Sequence, residues 1–235
     1  MGDAIHLTQP DIDVRLRVDA RARRFTLRLA EAGAGAVLTL PPGVPEAEAL
    51  NFLERHRGWL AAALARQEAA IPVQGGIRLP VDGVAHLLVV QTGPRRTPAI
   101  SDGRLVVQGR GDPGPRVAAW LKERTRERIG KAAHHYAREL GRDLRGIAVK
   151  DTRSRWGSCS TAGRINLSWR LAMAPPRIQD YVAAHEAAHL VEMNHSDRYW
   201  RVLSGIMPDY AERRAWLKSE GRKLHAYRFE TGSAP

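Results

Sequence analysis

Apolar and polar residues alternate between residues 12 and 40, which is the pattern of strands that bury one face. The apolar positions of these strands are Ile12, Val14, Leu16 and Val18, then Phe25, Leu27 and Leu29, and finally Val37, Leu38 and Leu40. Gly33 and Gly35 mark a turn before the last run, and Pro41-Pro-Gly43 ends it. The pattern therefore predicts a small sheet near the start of the chain.

A helix and a second set of short strands are predicted next. Residues 46–68 have an apolar face at helical spacing, formed by Leu50, Leu53, Trp59, Leu60 and Leu64. Between residues 77 and 109, short apolar runs are separated by Asp82-Gly83 and Asp102-Gly103, and Asp-Gly is a strong hairpin signal. We therefore expect an antiparallel meander over residues 77–109.

A segment rich in proline and glycine, residues 110–115, resembles a linker to a mainly helical C-terminal half. Periodicity there predicts helices over residues 116–140, 177–193, 199–203 and 210–223, and strands over residues 147–149 and 164–168. The predicted fold class is α+β. The predicted domains are a β-rich N-terminal subdomain with one helix, residues 10–112, and a second domain, residues 113–226.

The composition is that of a globular protein without a membrane segment. The chain has 235 residues, of which 43% are hydrophobic and 26% charged, and no apolar run approaches the length of a membrane span. The N-terminus lacks the basic start and apolar stretch of a secretory signal, and a single cysteine fits a reducing compartment. We expect a cytoplasmic protein that does not contact a membrane, and the oligomeric state stays open.

The charge adds a candidate partner. Lys and Arg number 37 against 25 Asp and Glu, which gives a formal net charge of +12. Such an excess favours polyanions, so nucleic acid bound through a basic surface is one candidate partner. The alternative is that the basic face of the helix predicted over residues 116–140 is solvated and paired with Glu123, Glu127 and Glu139.

The segment His185-Glu-Ala-Ala-His189 carries the candidate chemistry. Two histidines one helical turn apart project from the same face, which suits two ligands of a tetrahedral Zn²⁺ ion. His195 can supply a third nitrogen, leaving the open position of a catalytic zinc site, and Glu186 is placed to act as general base towards a water molecule. The pattern predicts one Zn²⁺ per chain and amide hydrolysis. The alternative is a core helix whose histidines are satisfied by hydrogen bonds.

Further side chains are candidates for supporting roles. Arg155, Tyr199 and Tyr210 are of the residue types that often stabilise an oxyanion beside the metal, and the sequence does not choose among them. Cys159 could be a ligand that blocks the metal, or a small buried residue. Met207 could lie beneath the metal or be part of the core.

The motifs around this segment resemble those of the YgjP-like metallopeptidases. They are Arg153-Ser-Arg-Trp-Gly-Ser-Cys159, Ile165-Asn-Leu-Ser-Trp169, His185-Glu-Ala-Ala-His189, Asn194-His195-Ser196, Tyr199-Trp200, Met207-Pro-Asp-Tyr210 and Trp216-Leu217. Arg21-Ala-Arg-Arg24 and Leu40-Pro-Pro-Gly43 extend the resemblance, which covers the chain from about Val14 to Leu224.

The resemblance implies a small zincin-like catalytic domain, in which the helix with the two histidines packs on a short antiparallel sheet, and a β-rich N-terminal part. It implies zinc ligands at His185, His189 and His195, a catalytic glutamate at Glu186, and a protein or peptide substrate. Since a strand beside the metal helix binds extended substrate in zincins, Trp156 and Asn166 are expected to border the cleft, with Arg155, Tyr199 and Tyr210 as further candidates for its edge.

The sequence differs from that of metzincins at one position, and two alternatives to a zinc peptidase stay open. Glu192 occupies the place where metzincins have the glycine of a turn, and Asn194, which tolerates a left-handed backbone, is predicted to make the turn instead. The related SprT-type proteases act on proteins attached to DNA, so the alternative function is a nucleic-acid-associated protease or DNA-binding protein whose proteolysis is DNA-dependent or secondary. The third hypothesis is a zinc site used for other hydrolysis, or only as a scaffold.

Overall fold

The computed structural model describes residues 4–30, 35–65, 70–152 and 154–230. The chain falls into two compact units, which divide between Ala70 and Ile71. The sequence predicted a boundary later in the chain, between residues 112 and 113.

The first unit is a four-stranded sheet with two helices. Its elements are β1 (Ala4–Thr8), β2 (Asp11–Val18), β3 (Thr26–Leu29), β4 (Ala36–Leu40), α1 (Glu46–Arg55) and α2 (Arg57–Ala65), with strand order β1-β2-β4-β3. β2 and β4 are parallel, and the other pairs are antiparallel. The alternation predicted for β2 holds at its start, because Ile12 and Val14 are buried while Asp11 and Asp13 are exposed. Val18, at the exposed end of the strand, departs from it.

Two predictions for this unit need correction or lie outside the described residues. The helix predicted over residues 46–68 is broken at His56, whose backbone leaves the helical region and whose ring stacks on Phe52 with centroids 4.0 Å apart. Of the predicted apolar face, Leu50 and Trp59 are exposed. The end of that helix, residues 66–69, and most of the turn predicted before β4, residues 31–34, lie outside the described residues.

The second unit begins with a four-stranded mixed sheet. After the short β5 (Ile71–Pro72) come β6 (Arg78–Val81), β7 (Val84–Gln91), β8 (Ala99–Ser101) and β9 (Arg104–Gln108), with order β6-β7-β9-β8. Both Asp-Gly hairpin turns are confirmed, with positive φ at Asp82, Gly83, Asp102 and Gly103. The predicted meander is wrong in one respect, because β7 and β9 pair in parallel.

This sheet shares its core with the long helix α3 (Gly114–Glu139). Leu79 and Leu105 from the sheet lie in one buried cluster with Val117 and Leu121 of α3. The segment predicted as a linker is a tight turn, and the Arg116 guanidinium donates to the carbonyl of Gln108, 2.6 Å away. The sheet before residues 110–115 and the helix after them are buried in one core, and for this reason the units do not divide there.

The rest of the second unit confirms the α+β class. Its elements are β10 (Gly146–Lys150), β11 (Gly157–Cys159), β12 (Arg164–Ser168), a 3₁₀ helix (Trp169–Met173), α4 (Pro176–Ala188), α5 (Asp197–Ile206), α6 (Tyr210–Glu220), a second 3₁₀ helix (Gly221–His225) and β13 (Tyr227–Arg228), which pairs with β5. The small sheet has order β10-β12-β11 and is mixed, since β10 is parallel to β12 and only β11 is antiparallel to it. None of the described helices is long and apolar enough to cross a membrane.

The Asp82-Gly83 turn between β6 and β7 packs against the start of α4. The Gly83 amide donates to the carbonyl of Met173 at 3.1 Å, and the Gln179 side chain of α4 donates to Asp82 at 2.8 Å. Gly83 has φ +79°, and a Cβ there would lie 2.9 Å from the Cα of Pro175. Only glycine fits this turn without moving the backbone that leads into the helix.

Candidate metal centre and catalytic site

Helix α4 is buried along most of its length, carries the candidate ligand His185 and is followed directly by a second candidate, His189, at its C-cap. Pro176 occupies its first turn, where a missing N–H costs nothing. Its small buried residues, which let it pack closely against α3 and β11, are Ala183, Ala184, Ala187 and Ala188. His185 and His189 then share the face that is left over for the cleft.

The three histidines come together as predicted. Nε2 of His185 lies 3.2 Å from Nε2 of His195, and the candidate ligand atoms of His185, His189 and His195 all lie within 4.8 Å of one another. Two nitrogens on one tetrahedral zinc ion are about 3.3 Å apart, given Zn–N distances of about 2.0–2.1 Å. The residues therefore fit a divalent metal ion, which this observation alone does not identify.

The chain turns directly after α4, and this turn brings in His195. The helix ends at Ala188 rather than at the predicted Met193. The amides that follow begin to hydrogen-bond three residues back instead of four, and the Val191 N–H donates to the Ala188 carbonyl at 3.0 Å. Among the described residues other than glycine, only Asp82 and Asp102 have positive φ. The prediction that Asn194 makes the turn in a left-handed conformation is therefore wrong.

Two of the candidate ligands have a partner at their second ring nitrogen. Nδ1 of His189 lies 3.1 Å from the Glu192 carbonyl, which can only accept, so the ring proton is on Nδ1 and Nε2 has its lone pair free. Nδ1 of His185 lies 2.7 Å from the Tyr199 hydroxyl and 3.4 Å from that of Tyr181. Such partners orient metal-binding imidazoles.

His195 is held by ring stacking. Its ring stacks on Trp200 with centroids 5.6 Å apart, and Tyr210 stacks on Trp200 with centroids 5.4 Å apart. The Arg214 guanidinium lies 4.8 Å from the centre of the Trp200 ring. Tyr210 is thus part of the support of the third ligand and is not among the residues that line the cleft.

Burial favours the neutral form of two of the candidate ligands, His185 and His189. It lowers the pKa of His185 to about 3, and positive charge on His189, His195 and Arg214 acts in the same direction. Burial also lowers the pKa of His189, against a hydrogen bond to Glu192 that acts in the opposite direction. Neutral imidazole is the form that binds metal, so these two histidines need not lose a proton to do so at neutral pH.

The Glu186 carboxyl group is buried beside these ligands, with only 4% of the residue exposed. Its Oε2 has no hydrogen-bond partner among the described residues. Burial raises the pKa of Glu186 to about 8, although the positive charge of Arg155 acts to lower it. Burying a carboxyl oxygen without a hydrogen-bond partner costs free energy, and such groups are often found where a ligand binds or a reaction takes place.

Gly157 of β11 provides the space for that carboxyl group. A Cβ at this position would lie 2.4 Å from Oε1 of Glu186 and 2.7 Å from its Cδ. The strand therefore runs directly against the acid, and any side chain would displace one or the other. A glycine within a strand often marks such a close approach, but in this part of the chain the sequence predicted strands only at residues 147–149 and 164–168 and not at Gly157.

A cleft of about 510 Å³ joins these groups. It is lined by residues 154–159, Tyr181, Val182, the three histidines, Glu186, Met193 and Leu217. Arg155 and Trp156 therefore border it, as predicted, whereas Asn166, Tyr199 and Tyr210 are not in its lining. Asn166 lies behind the edge strand and donates to the Ser158 hydroxyl at 3.1 Å.

The two residues with alternative sequence interpretations have ordinary surroundings. Burial, and then the charge of Glu186, raise the pKa of the Cys159 thiol to about 11, which disfavours the thiolate that a metal would bind. Met207 is buried in the core cluster of α4 and α5 and does not line the cleft. Met207 fits the interpretation of a core residue, whereas Cys159 is half-buried, packs against the same core cluster and also lines the cleft.

Comparison with known proteins identifies a family for this fold and site. The family model described as YgjP-like, metallopeptidase domain, matches residues 23–220. Among solved structures, the chain is similar to the metallopeptidase zymogen of Pyrococcus abyssi abylysin, with 21% sequence identity, coverage of 39% of this chain and 95% of that chain, and a TM-score of 0.35. A comparison with curated protein sequences finds no match.

Proposed function

Because the chain belongs to the YgjP-like metallopeptidase family, we propose that it hydrolyses peptide bonds with one Zn²⁺ ion held by His185, His189 and His195 and with Glu186 as general base. The observation that carries the proposal is a single juxtaposition. A buried carboxyl group, whose Oε2 has no partner within the described residues, lines the same cleft as three histidine nitrogens that lie within 4.8 Å of one another.

The donor set supports zinc as the metal, because three imidazoles suit zinc better than they suit magnesium or calcium. A zinc ion held there would lower the pKa of a water molecule and polarise the carbonyl of a bound peptide. The chain itself contributes neutral imidazoles, and the buried residues around them limit the access of bulk water.

Glu186 is proposed to take a proton from the attacking water and to deliver it to the nitrogen of the leaving amine. Burial raises the pKa of Glu186 above that of a free carboxyl group, which is the direction that lets one group both accept and return a proton near neutral pH. Gly157 lets the strand pass beside the carboxyl group without displacing it.

The substrate is proposed to be an extended peptide that pairs with β11. This strand pairs with β12 on one side, and no described strand pairs with its other edge. Added main-chain hydrogen bonds along such an edge would bind peptides with little sequence selectivity. Arg155 is the candidate for contact with the oxyanion, because Tyr199 is buried against His185 and Tyr210 is stacked on Trp200.

Removal of the metal tests the proposal. We expect a chelator to abolish digestion of casein, and one equivalent of Zn²⁺ per chain to restore it, with the metal content measured in parallel. A His189→Ala variant is the matched control, since added Zn²⁺ should not restore its activity. Cleavage that survives complete removal of metal would contradict the proposal, and one bound zinc without any cleavage would favour a scaffold.

A nucleic-acid-associated peptidase is a second candidate, favoured by where the charge lies. Residues 1–70 hold nine Lys and Arg and nine Asp and Glu, so the whole excess of +12 is carried by residues 71–235, which contain the site. If these charges contact phosphates, affinity for single-stranded DNA should fall steeply between about 50 and 200 mM salt, because counterions are released on binding. Fluorescence anisotropy of a labelled oligonucleotide measures this, and casein digestion with and without DNA shows whether cleavage depends on it. Absent or salt-independent binding would exclude the second candidate.

A further inference from the structure

The Tyr199 hydroxyl lies next to the first metal ligand, on the side away from the cleft. Tyr199 is on α5 and is fully buried, whereas His185 is on α4. The hydroxyl oxygen lies 2.7 Å from Nδ1 of His185 and 3.0 Å from the backbone carbonyl oxygen of the same residue. One phenol thus contacts both the ring and the main chain of one ligand.

These two distances determine where the protons are. A carbonyl oxygen can only accept, and a phenol has a single proton to donate. If Tyr199 donates to the carbonyl, its oxygen is free to accept from Nδ1–H, and both contacts are hydrogen bonds. If it donated to Nδ1 instead, its oxygen would face the carbonyl at 3.0 Å with no proton between them. The first arrangement satisfies all the groups and leaves Nε2 without a proton.

We propose that Tyr199 is the positioning residue of the metal site, holding His185 in the Nδ1–H tautomer with the Nε2 lone pair directed at the metal. This inference rests on the proposed function, because it assumes that the three histidines bind a metal. It assigns Tyr199 a structural task behind the ligand, in place of the predicted contact with substrate or oxyanion.

The use of a phenol has a consequence for the ligand. Metal-binding histidines commonly donate their second N–H to a carboxylate, a backbone carbonyl or a water molecule, and a carboxylate makes the imidazole more basic. A phenol is neutral at neutral pH, unlike a carboxylate. A neutral acceptor fixes the ring while raising its basicity less than a carboxylate would, so a bound metal would retain more of its own positive charge.

Tyr199→Phe tests the proposal, with Tyr136→Phe as the matched control. Tyr136 is also a buried tyrosine, but its hydroxyl donates to Asp180 at 2.9 Å and it does not line the cleft. We expect Tyr199→Phe to weaken Zn²⁺ affinity about 10- to 100-fold in competition with a chromophoric chelator, because loss of such a partner typically has this effect. Tyr136→Phe should leave the affinity unchanged.

Nitrogen NMR of ¹⁵N-histidine-labelled, metal-free protein gives a second readout, and its measurement on the parent protein does not depend on the variant folding. The His185 signals, assigned by their loss in His185→Asn, should show the proton on Nδ1 in the parent and a mixture of tautomers in Tyr199→Phe. A parent protein with the proton on Nε2 would overturn the proposal, as would unchanged zinc affinity in Tyr199→Phe. Neither measurement uses peptide cleavage, so a protein that binds zinc as expected but cleaves nothing would refute the proposed function alone.

Discussion

Replacing Glu186 with glutamine is expected to lower kcat by about 10²- to 10⁴-fold, the usual contribution of a general base, while the metal content stays the same. Glutamine has nearly the same shape, so it fits against Gly157 and leaves the three histidines in place. Its amide cannot take a proton from water. Casein digestion and metal analysis on the same preparations measure the two quantities.

Glu192→Gln is the control for this experiment. Glu192 follows the same helix, but its carboxylate pairs with Arg198 at 3.7 Å and does not line the cleft. It should keep both metal and activity. A Glu186→Gln protein that digests casein as fast as the parent would show that Glu186 is not the base.

Gly157→Ala should have the next largest effect, because the new methyl group would stand 2.4 Å from Oε1 of Glu186. Either the carboxyl group or β11 must move, and a displacement near 1 Å in a catalytic group can cost about 10²-fold in rate. We expect kcat/KM to fall by about that factor, with zinc bound as before since the ligands are untouched.

Gly146→Ala, in β10 of the same sheet, is the matched control for the glycine substitution. A Cβ there meets nothing within 4 Å, so activity should be unchanged. Full activity in Gly157→Ala would mean that the close approach of β11 to Glu186 has no bearing on catalysis.

Local signals in the sequence predicted the local parts of the fold. The Asp82-Gly83 and Asp102-Gly103 turns form as expected, since positive φ at these positions is a property of the dipeptide itself. The parallel pairing of β7 with β9 was missed because it joins strands that are not consecutive. Register between distant strands depends on packing, which no pattern within one strand reveals.

The same distinction between local and long-range signals applies to the candidate site. His185 and His189 were predictable because helical spacing alone puts them on one face, and the structure brings His195 to them. The bond from Tyr199 to His185 spans two helices and a turn, so nothing in its sequence neighbourhood distinguished a ligand support from a contact with substrate. The roles of these residues in catalysis remain predictions, which the variants above test.

The Asp82-Gly83 turn determines how much of the chain a functional peptidase requires. It receives a hydrogen bond from Gln179, 97 positions later, and so joins the sheet of β6–β9 to the first turn of α4. A fragment cut at the predicted boundary, residues 113–226, would retain every proposed ligand and the base, yet would lose the turn against which their helix is seated. We therefore expect that a fragment must include the sheet of β6–β9, which lies in the unit that begins at Ile71, to keep this helix in place.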